Sequence, residues 1–246
     1  MEQYKDYNRE ERNLCSHLFR LLHHDLEKGK QSTLAAFIRK SSAAIAEKLA
    51  DSDYVKADII SEVALFRDAY KARSPRVNEM MDGICNALAQ EMGINDFTTY
   101  SKLQAPLNEP WNTHPKQIHR KAEKESITLM GGNDAFYKEI QSIFNAKPDL
   151  CICIGNYLLV YEAKFTEGFK EEQMKRTKRI AAVWQKTLYK DLGFDSEPKA
   201  LVLKLGGQRF KPHVNWQQVL ELSKGVYSEN DRSRQAFESA VELLNN

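Results

Sequence analysis

The stretch over residues 147–164 constrains the fold of this chain more than any other segment. It reads KPDLCICIGNYLLVYEAK, two apolar runs separated by Gly155-Asn156, which is a dipeptide typical of the two-residue turns that join antiparallel strands. Both runs are apolar at nearly every position, which predicts a β-hairpin buried on both faces. The hairpin nonetheless begins at Pro148-Asp149 and ends at Glu162-Ala163-Lys164. These charges need an explanation.

The predicted turn sets two carboxylates at one level of the hairpin. Asp149 lies six residues before Gly155, and Glu162 lies six residues after Asn156. In a hairpin that turns at this dipeptide, the start of one strand lies beside the end of the other, so the two side chains fall at the same level. Glu162 and Lys164 are two residues apart on one strand and therefore share a face.

Two interpretations account for these charges, because burying an unpaired carboxylate costs several kcal/mol. In the first, Asp149, Glu162 and the backbone carbonyl of Ala163 offer the oxygen ligands that Mg²⁺ or Mn²⁺ prefers. Such a cation activates water for phosphodiester hydrolysis, and Lys164 would orient that water, help to deprotonate it or neutralise the phosphate. In the second, the hairpin lies at a sheet edge with solvated charges, and Glu162 simply pairs with Lys164.

The residues after the hairpin predict a crossover connection. A helix is expected over residues 169–190 and a third strand over residues 199–205, bounded by Pro198 and Gly206-Gly207. A strand, a crossing helix and another strand imply parallel pairing, hence an α/β fold with a mixed central β-sheet flanked by helices. Two further helices are expected over residues 216–223 and 231–244.

The first hundred residues show helical periodicity, which predicts a helical accessory domain over residues 1–105. Four amphipathic stripes carry this prediction: Leu14, Leu18, Leu21 and Leu22; Leu34, Phe37, Ile38, Ile45 and Leu49; Ile59, Ile60, Val63 and Phe66; and Val77, Met80, Met81, Ile84 and Leu88. Three prolines around Trp111 predict a connector over residues 106–115. Residues 116–246 then form the second domain, which begins with a short basic helix over 116–125, a strand or helix over 127–130 and a helix over 134–145.

The charged hairpin resembles the signature of the PD-(D/E)XK nuclease superfamily, which has the restriction-endonuclease-like fold. Pro148-Asp149, a twelve-residue gap and Glu162-Ala163-Lys164 match it in order, spacing and strand context. The helix and strand over residues 169–205 resemble the second half of its core, so the resemblance covers roughly residues 116–210. It implies Mg²⁺-dependent hydrolysis of the phosphodiester bonds of DNA, or of RNA, with Asp149 and Glu162 as metal ligands and Lys164 as the catalytic lysine.

The resemblance also implies features that are harder to locate. The family core places a further strand before the Asp, for which residues 127–130 are the candidate, and often an acidic residue on its first helix. Glu139 and Glu125 are candidates for that acid, and a solvated helix residue is the alternative for each. Gln173 resembles the start of the Gln-x-x-x-Tyr motif of RecB-like nucleases, although Thr177 occupies the Tyr position. Gln173 would reach a metal-bound water or a phosphate, or be a solvated helix residue.

The helix after the hairpin carries a basic cluster: Lys175, Arg176, Lys178 and Arg179. These residues follow the proposed centre, where a nucleic-acid backbone would pass, which predicts phosphate contacts. The alternative is a solvated face with salt bridges to Glu167, Glu171 and Glu172.

Composition limits the class of protein. With 42% hydrophobic and 28% charged residues, the chain is typical of a soluble globular protein, and its net charge of +2 does not by itself indicate nucleic-acid binding. Four cysteines are too few for a disulfide framework, and Cys151 and Cys153 are expected to fill the core. The N-terminal residues resemble no signal peptide, and no apolar run reaches the about 18 to 20 residues that span a bilayer.

We therefore expect a cytoplasmic, Mg²⁺-dependent nuclease that acts on DNA in preference to RNA, away from membranes, with the choice between monomer and homodimer open. The competing class is a non-catalytic nucleic-acid-binding or assembly module that retains the nuclease fold. Metal-dependent cleavage distinguishes the two.

Overall fold

The computed structural model describes residues 11–72, 77–94, 120, 124 and 134–245. Over these residues the chain is an α/β protein with helices and one five-stranded mixed sheet. Its helices are α1 (Glu11–Glu27), α2 (Ser32–Ser41), α3 (Ala43–Ala46), α4 (Asp51–Val55), α5 (Leu65–Ala72), α6 (Val77–Glu91), α7 (Asp134–Asn145), α8 (Glu171–Thr187), α9 (Trp216–Val226) and α10 (Arg232–Asn245). Its strands are β1 (Asp58–Ile60), β2 (Leu150–Ile154), β3 (Tyr157–Lys164), β4 (Lys199–Gly206) and β5 (Val214–Asn215).

The β2–β3 hairpin forms the centre of the sheet. Within the described residues the strands lie in the order β1-β2-β3-β4-β5. The β1–β2 and β2–β3 pairs are antiparallel, and the β3–β4 and β4–β5 pairs are parallel. Every residue of β2 is buried, and six of the eight residues of β3 are buried. The predicted hairpin, its burial on both faces and the parallel pairing after the crossover helix are confirmed.

Gly155 makes the tight turn of the hairpin possible. Its φ of +52° lies in the left-handed region, which costs little for glycine and more for a residue with a Cβ. A Cβ at this position would also lie 2.8 Å from Leu49 Cδ2 and 3.3 Å from the carboxyl carbon of Asp53. The turn therefore combines a conformational and a steric requirement for glycine.

Replacing Gly155 with alanine is expected to lower the free energy of unfolding by at least about 1–2 kcal/mol, because of the left-handed backbone alone. The contact with Leu49 adds to this loss. Denaturant unfolding of the variant measures the effect. Gly225→Ala is the matched control, because a Cβ on Gly225 meets no heavy atom within 4 Å and the residue lies in helix α9. Equal stability of the Gly155→Ala and wild-type proteins would contradict this account of the turn.

The described residues divide into two compact units. The first contains residues 11–62, 148–177 and 199–245, and the second contains 63–72, 77–94, 134–147 and 178–198. In the first unit, alternate hairpin residues from β2 and β3 pack with α1, α2, α9 and α10 in one hydrophobic cluster. Tyr161 of β3 packs against Phe37, with ring centroids 5.3 Å apart, and its hydroxyl donates to Ser41 Oγ at 3.0 Å. Helices from both the N-terminal and the C-terminal part of the chain therefore pack on this face of the sheet.

The prediction that the first hundred residues form only helices is wrong at β1. The apolar stripe of Ile59, Ile60, Val63 and Phe66 was expected to form one helix, but β1 occupies residues 58–60 and α5 starts at Leu65. Ile59 pairs with Ile152 in the antiparallel ladder, and both join the hydrophobic cluster. Pairing with the central hairpin outweighs the local periodicity, which does not distinguish two adjacent isoleucines in a helix from the same residues in a strand.

The other helical predictions differ mainly at their ends. The stripe from Leu34 to Leu49 divides into α2 and α3, because Ser42 is extended and its N–H donates to Ile38 at the end of α2. Helices α1, α6, α7, α8, α9 and α10 agree with their predicted positions to within a few residues. The Pro-rich connector, Trp111, Glu125, the strand predicted over residues 127–130 and most of the basic helix over 116–125 lie outside the described residues.

In the second unit, Phe66 of α5 lies between aromatic side chains of α7 and α8. Its ring centroid is 6.0 Å from that of Phe144 and 6.4 Å from that of Trp184. The four cysteines of the chain are buried and form no disulfide bond. Cys153 and burial together raise the pKa of Cys151 far above its usual range, as expected for a core residue. No helix in the described part of the chain is both long enough and apolar enough to cross a membrane.

A buried histidine joins three helices of the first unit. His17 of α1 is 3% exposed and stacks on Phe237 of α10 at 4.2 Å between ring centroids. Its two ring nitrogens each lie 3.0 Å from a serine hydroxyl, Nδ1 from Ser233 and Nε2 from Ser223. Burial, assisted by the positive charge of Arg20 and opposed by Asp231, lowers the pKa of His17 from 6.5 to about 4.

Because the folded-state pKa of His17 is lowered, the unfolded chain binds more protons between pH 6.5 and pH 4, and stability falls as the pH drops through this range. At 1.36 kcal/mol per pKa unit, the loss attributable to His17 approaches about 3 kcal/mol. We expect His17→Gln to flatten this part of the pH–stability profile, measured by denaturant unfolding, whereas His24→Gln on the same helix retains it. An equally steep decline in His17→Gln would contradict the assignment.

Candidate active site

The register of the hairpin brings Asp149 and Glu162 to one level, as predicted. Ile154 pairs with Tyr157, and Leu150 pairs with Tyr161. The next step along this ladder places Asp149, immediately before β2, opposite Glu162. Side chains directly opposite in an antiparallel pair point to the same face, and Lys164 follows Glu162 on that face.

Asp149 is held between its two neighbouring strands. Its Oδ2 atom accepts a hydrogen bond from the backbone N–H of Ala163 at 2.7 Å. Its backbone carbonyl accepts one from Ser61 Oγ, just after β1, at 2.8 Å. The preceding carbonyl, that of Pro148, accepts the N–H of Glu62 at 3.0 Å. The two residues that follow β1, a strand that the sequence did not predict, thus fix the backbone of the candidate metal ligand.

The Ala163 carbonyl oxygen faces the same side of β3 as the Ala163 N–H, which is the side toward β2. The N–H and C=O groups of one strand residue point toward the same neighbouring strand. Because the Ala163 N–H reaches Asp149, its carbonyl oxygen also faces the β2 side of β3. The Ala163 carbonyl thus lies on the side of β3 that faces Asp149.

Glu162 is surrounded by donors. Lys164 Nζ lies 3.4 Å from its Oε1 atom, and the exposed fractions of the two side chains are only 13% and 11%. Gln173 Nε2 donates to Oε1, and Thr177 Oγ1 donates to Oε2 at 2.8 Å. The carboxylate is thus compensated by one cation and two neutral donors, as a mostly buried charge requires.

Helix α8 supplies both neutral donors because of its periodicity. Gln173 and Thr177 are four residues apart, which places them on one helix face. Thr177 departs from the Gln-x-x-x-Tyr motif, yet it contacts the same carboxylate as Gln173. The sequence missed Thr177 as a site residue, although its spacing from Gln173 was the available signal. Gln173, for which a metal-bound water, a phosphate or solvent was expected, donates to Glu162.

The backbone of Lys164 is fixed by a buried indole. Trp216, the first residue of α9, donates from Nε1 to the Lys164 carbonyl at 2.9 Å. Lys164 also pairs with Gly206 of the neighbouring strand β4. Together these contacts fix the backbone position from which the Lys164 side chain extends. That side chain is one of the few buried charged groups in the described residues.

The remaining predicted residues have contacts or exposure of their own. Glu139 of α7 belongs to the second unit, where its carboxylate lies 3.3 Å from Arg179 Nη1. Lys175 of α8 pairs with Glu171 at 2.9 Å, which agrees with the salt-bridged interpretation of this helix face. Arg176 and Lys178 are exposed.

The donor set fits a divalent cation that prefers oxygen. Among the described residues, no three His, Cys, Asp or Glu side chains lie close enough together to hold a metal ion. The residues that would hold a cation here are Asp149, Glu162 and the Ala163 carbonyl, and water and phosphate oxygens would complete its shell, as they commonly do for Mg²⁺. Binding would also require Glu162 to share its oxygens with Lys164, Gln173 and Thr177.

Comparison with known proteins adds no further assignment, because the chain matches no family model, no curated protein and no solved structure.

Proposed function

We propose that this chain is a Mg²⁺-dependent nuclease that hydrolyses phosphodiester bonds of DNA, and less readily of RNA, at a centre formed by Asp149, Glu162 and Lys164. The observation that carries the proposal is the hairpin register, which puts Asp149 opposite Glu162 one step beyond the Leu150–Tyr161 pair, together with Lys164 Nζ 3.4 Å from Glu162 Oε1. A purely structural hairpin has no need for two carboxylates at one level beside a mostly buried lysine.

The sheet also supports the restriction-endonuclease-like assignment. The resemblance implies a strand before the Asp, and β1, over residues 58–60, is a strand that pairs with β2. The resemblance extends to the crossover helix and the parallel fourth strand, for which α8 and β4 are the counterparts. These features favour the nuclease family over an unrelated mixed sheet.

The chemistry of the site divides among its residues. Mg²⁺, or Mn²⁺ in its place, would lower the pKa of a water molecule and offset charge on the phosphate oxygens. Asp149 and Glu162 bind the cation together with the Ala163 carbonyl, and Gln173 and Thr177 orient Glu162. Lys164 orients the attacking water or holds a phosphate oxygen, and its position next to Glu162 suits either role. The exposed basic residues of α8 contact the nucleic-acid backbone.

A second candidate is a non-catalytic nucleic-acid-binding or assembly module with the same fold. One observation favours it: both oxygens of Glu162 already have protein donors, as in a structural ion pair. In such a module the lysine and the helix donors would stabilise the hairpin without a cation.

Cleavage assays distinguish the candidates. Wild-type protein is incubated with supercoiled plasmid, linear duplex, single-stranded DNA and RNA, in Mg²⁺, in Mn²⁺ or in EDTA. We expect cleavage of at least one DNA substrate in Mg²⁺ or Mn²⁺ and none in EDTA. Binding without cleavage in any metal would favour the non-catalytic module, and cleavage that persists in EDTA would exclude the proposed centre.

A further inference from the structure

A second lysine reaches the level of the candidate active site from β4. In the parallel β3–β4 ladder, Glu162 pairs with Lys204, and Lys164 pairs with Gly206. Paired residues of neighbouring strands point to the same face of a sheet. Lys204 therefore lies on the face of Glu162 and Lys164, on the side of β3 opposite from Asp149.

The Lys204 ammonium rests on an aromatic ring rather than on a carboxylate. Its Nζ atom lies 5.3 Å from the ring centroid of Phe169, which precedes α8. Phe169 can lie over the end of β4 because position 206 is glycine: a Cβ there would be 3.2 Å from Phe169 Cζ and 3.1 Å from the Lys164 carbonyl. The close approach thus depends on a residue without a side chain.

This contact leaves the charge of Lys204 available to an anion. Within the described residues, Lys164 and Lys175 pair with carboxylates, whereas the Lys204 side chain contacts the Phe169 ring. The side chain is partly exposed. A contact between an exposed ammonium and an aromatic ring is weak, so the ammonium can turn toward a charged oxygen at little cost.

The charge balance of the site favours such a use. Asp149 and Glu162 carry two negative charges, which repel an approaching nucleic-acid backbone, and Lys164 is already paired with Glu162. A cation on the far side of Glu162 would attract the strand without competing for the carboxylates.

We propose that Lys204 binds a non-bridging oxygen of a backbone phosphate of the nucleic acid, on the β4 side of the Asp149/Glu162 centre. This inference rests on the proposed nuclease function, and it makes Lys204 a substrate-positioning residue. Phe169 holds the ammonium in place until a phosphate replaces the ring.

The test compares Lys204→Gln with Lys199→Gln. Lys199 is the exposed first residue of β4 and pairs with Tyr157 at the opposite end of the hairpin, so it is a matched control. Binding of a fluorescently labelled DNA duplex is measured by anisotropy at several salt concentrations, in Ca²⁺, which also prefers oxygen ligands. Loss of one phosphate contact is expected to weaken binding several-fold and to reduce the slope of log K against log salt by about 0.9.

Two further measurements separate phosphate binding from a structural role. Lys204→Arg, which keeps the positive charge, should restore most of the affinity and the salt slope. In the cleavage assay, Lys204→Gln should raise KM about as much as it weakens binding, with kcat nearly unchanged. Thermal unfolding of each variant checks that the fold is retained.

Several outcomes would overturn the inference. One is an unchanged salt slope in Lys204→Gln, and others are an equal change in Lys199→Gln or failure of Lys204→Arg to restore binding. If Lys204→Gln weakens binding but the wild type cleaves nothing in Mg²⁺, the phosphate site stands and the nuclease proposal fails. If the wild type cleaves DNA while Lys204→Gln changes neither slope nor KM, the inference alone fails. Absence of wild-type binding to DNA would overturn both.

Discussion

Replacing Asp149 with asparagine is expected to reduce Mg²⁺-dependent DNA cleavage by about a thousandfold. A metal ion contributes several kcal/mol of charge stabilisation in the transition state, and each 1.36 kcal/mol corresponds to about a tenfold change in rate. Asparagine has the size of aspartate, and its amide oxygen can still accept the Ala163 N–H that now lies 2.7 Å from Oδ2. The variant therefore loses the charge that binds the cation while keeping the contact that fixes β3.

Asp58→Asn is the control for this substitution. Asp58 is the exposed first residue of β1 and pairs with Cys153, at the other end of the hairpin. Initial rates on supercoiled plasmid, measured beside circular dichroism of each variant, give the comparison. Cleavage by a folded Asp149→Asn protein at a rate close to that of wild type would exclude Asp149 as a metal ligand.

Replacing Lys164 with methionine is expected to lower the cleavage rate by at least about a hundredfold, the lower range for loss of a positioned acid–base group. Methionine has a similar length but no charge, so the side chain can neither orient water nor hold a phosphate oxygen. The same change leaves Glu162, 13% exposed, without its cationic partner, so some loss of stability is also expected. Unfolding measurements must therefore accompany the kinetics.

Lys164→Arg separates the two roles left open for this residue. Arginine keeps the ion pair with Glu162 but stays protonated at every working pH, so it cannot take part in proton transfer. If Lys164 only holds a phosphate, Lys164→Arg retains partial activity with an unchanged pH–rate profile. If Lys164 transfers a proton, the variant is inactive.

Lys186→Met is the control for Lys164→Met. It removes a lysine that pairs with Glu91 at 3.1 Å in the second unit, so it measures the effect of losing an ion pair. Equal activity of Lys164→Met and wild type would remove the lysine from the mechanism.

The hairpin and its register could be predicted because the information is local. Gly155-Asn156 determines the turn, and equal residue counts on either side then place Asp149 opposite Glu162. Short-range pairing across a two-residue turn leaves little freedom to the register. The same reasoning placed Lys164 on the face of Glu162, and its Nζ atom lies 3.4 Å from Glu162 Oε1.

Strand β1 could not be predicted in the same way. It contains three residues, and its partner strand lies about ninety positions further along the chain. Two adjacent isoleucines fit a helical stripe with Val63 and Phe66 as well as they fit a strand. Only the pairing with Cys151–Cys153 favours the strand over the helix, and this pairing cannot be predicted from the local sequence.

The positions of Thr177 and Lys204 relative to Glu162 could not be predicted from the local sequence either. Their elements were predicted, since α8 and β4 lie close to the expected positions. Their partner was not, because the register between β3 and β4 is set across the whole crossover helix rather than by a turn. Glu162 therefore had only one predicted neighbour of opposite charge, whereas the structure surrounds it with Lys164, Gln173 and Thr177 and places Lys204 on the adjacent strand.

The most direct test of the central claim is the binding of Mn²⁺ to the wild-type and Asp149→Asn proteins, measured by electron paramagnetic resonance of the free ion in the absence of nucleic acid. If Asp149 and Glu162 form a cation site, the wild type binds Mn²⁺ and Asp149→Asn binds it at least about tenfold more weakly, since even residues that only support metal ligands contribute that much. Equal Mn²⁺ affinity of the two proteins, or no binding by either, would contradict the account.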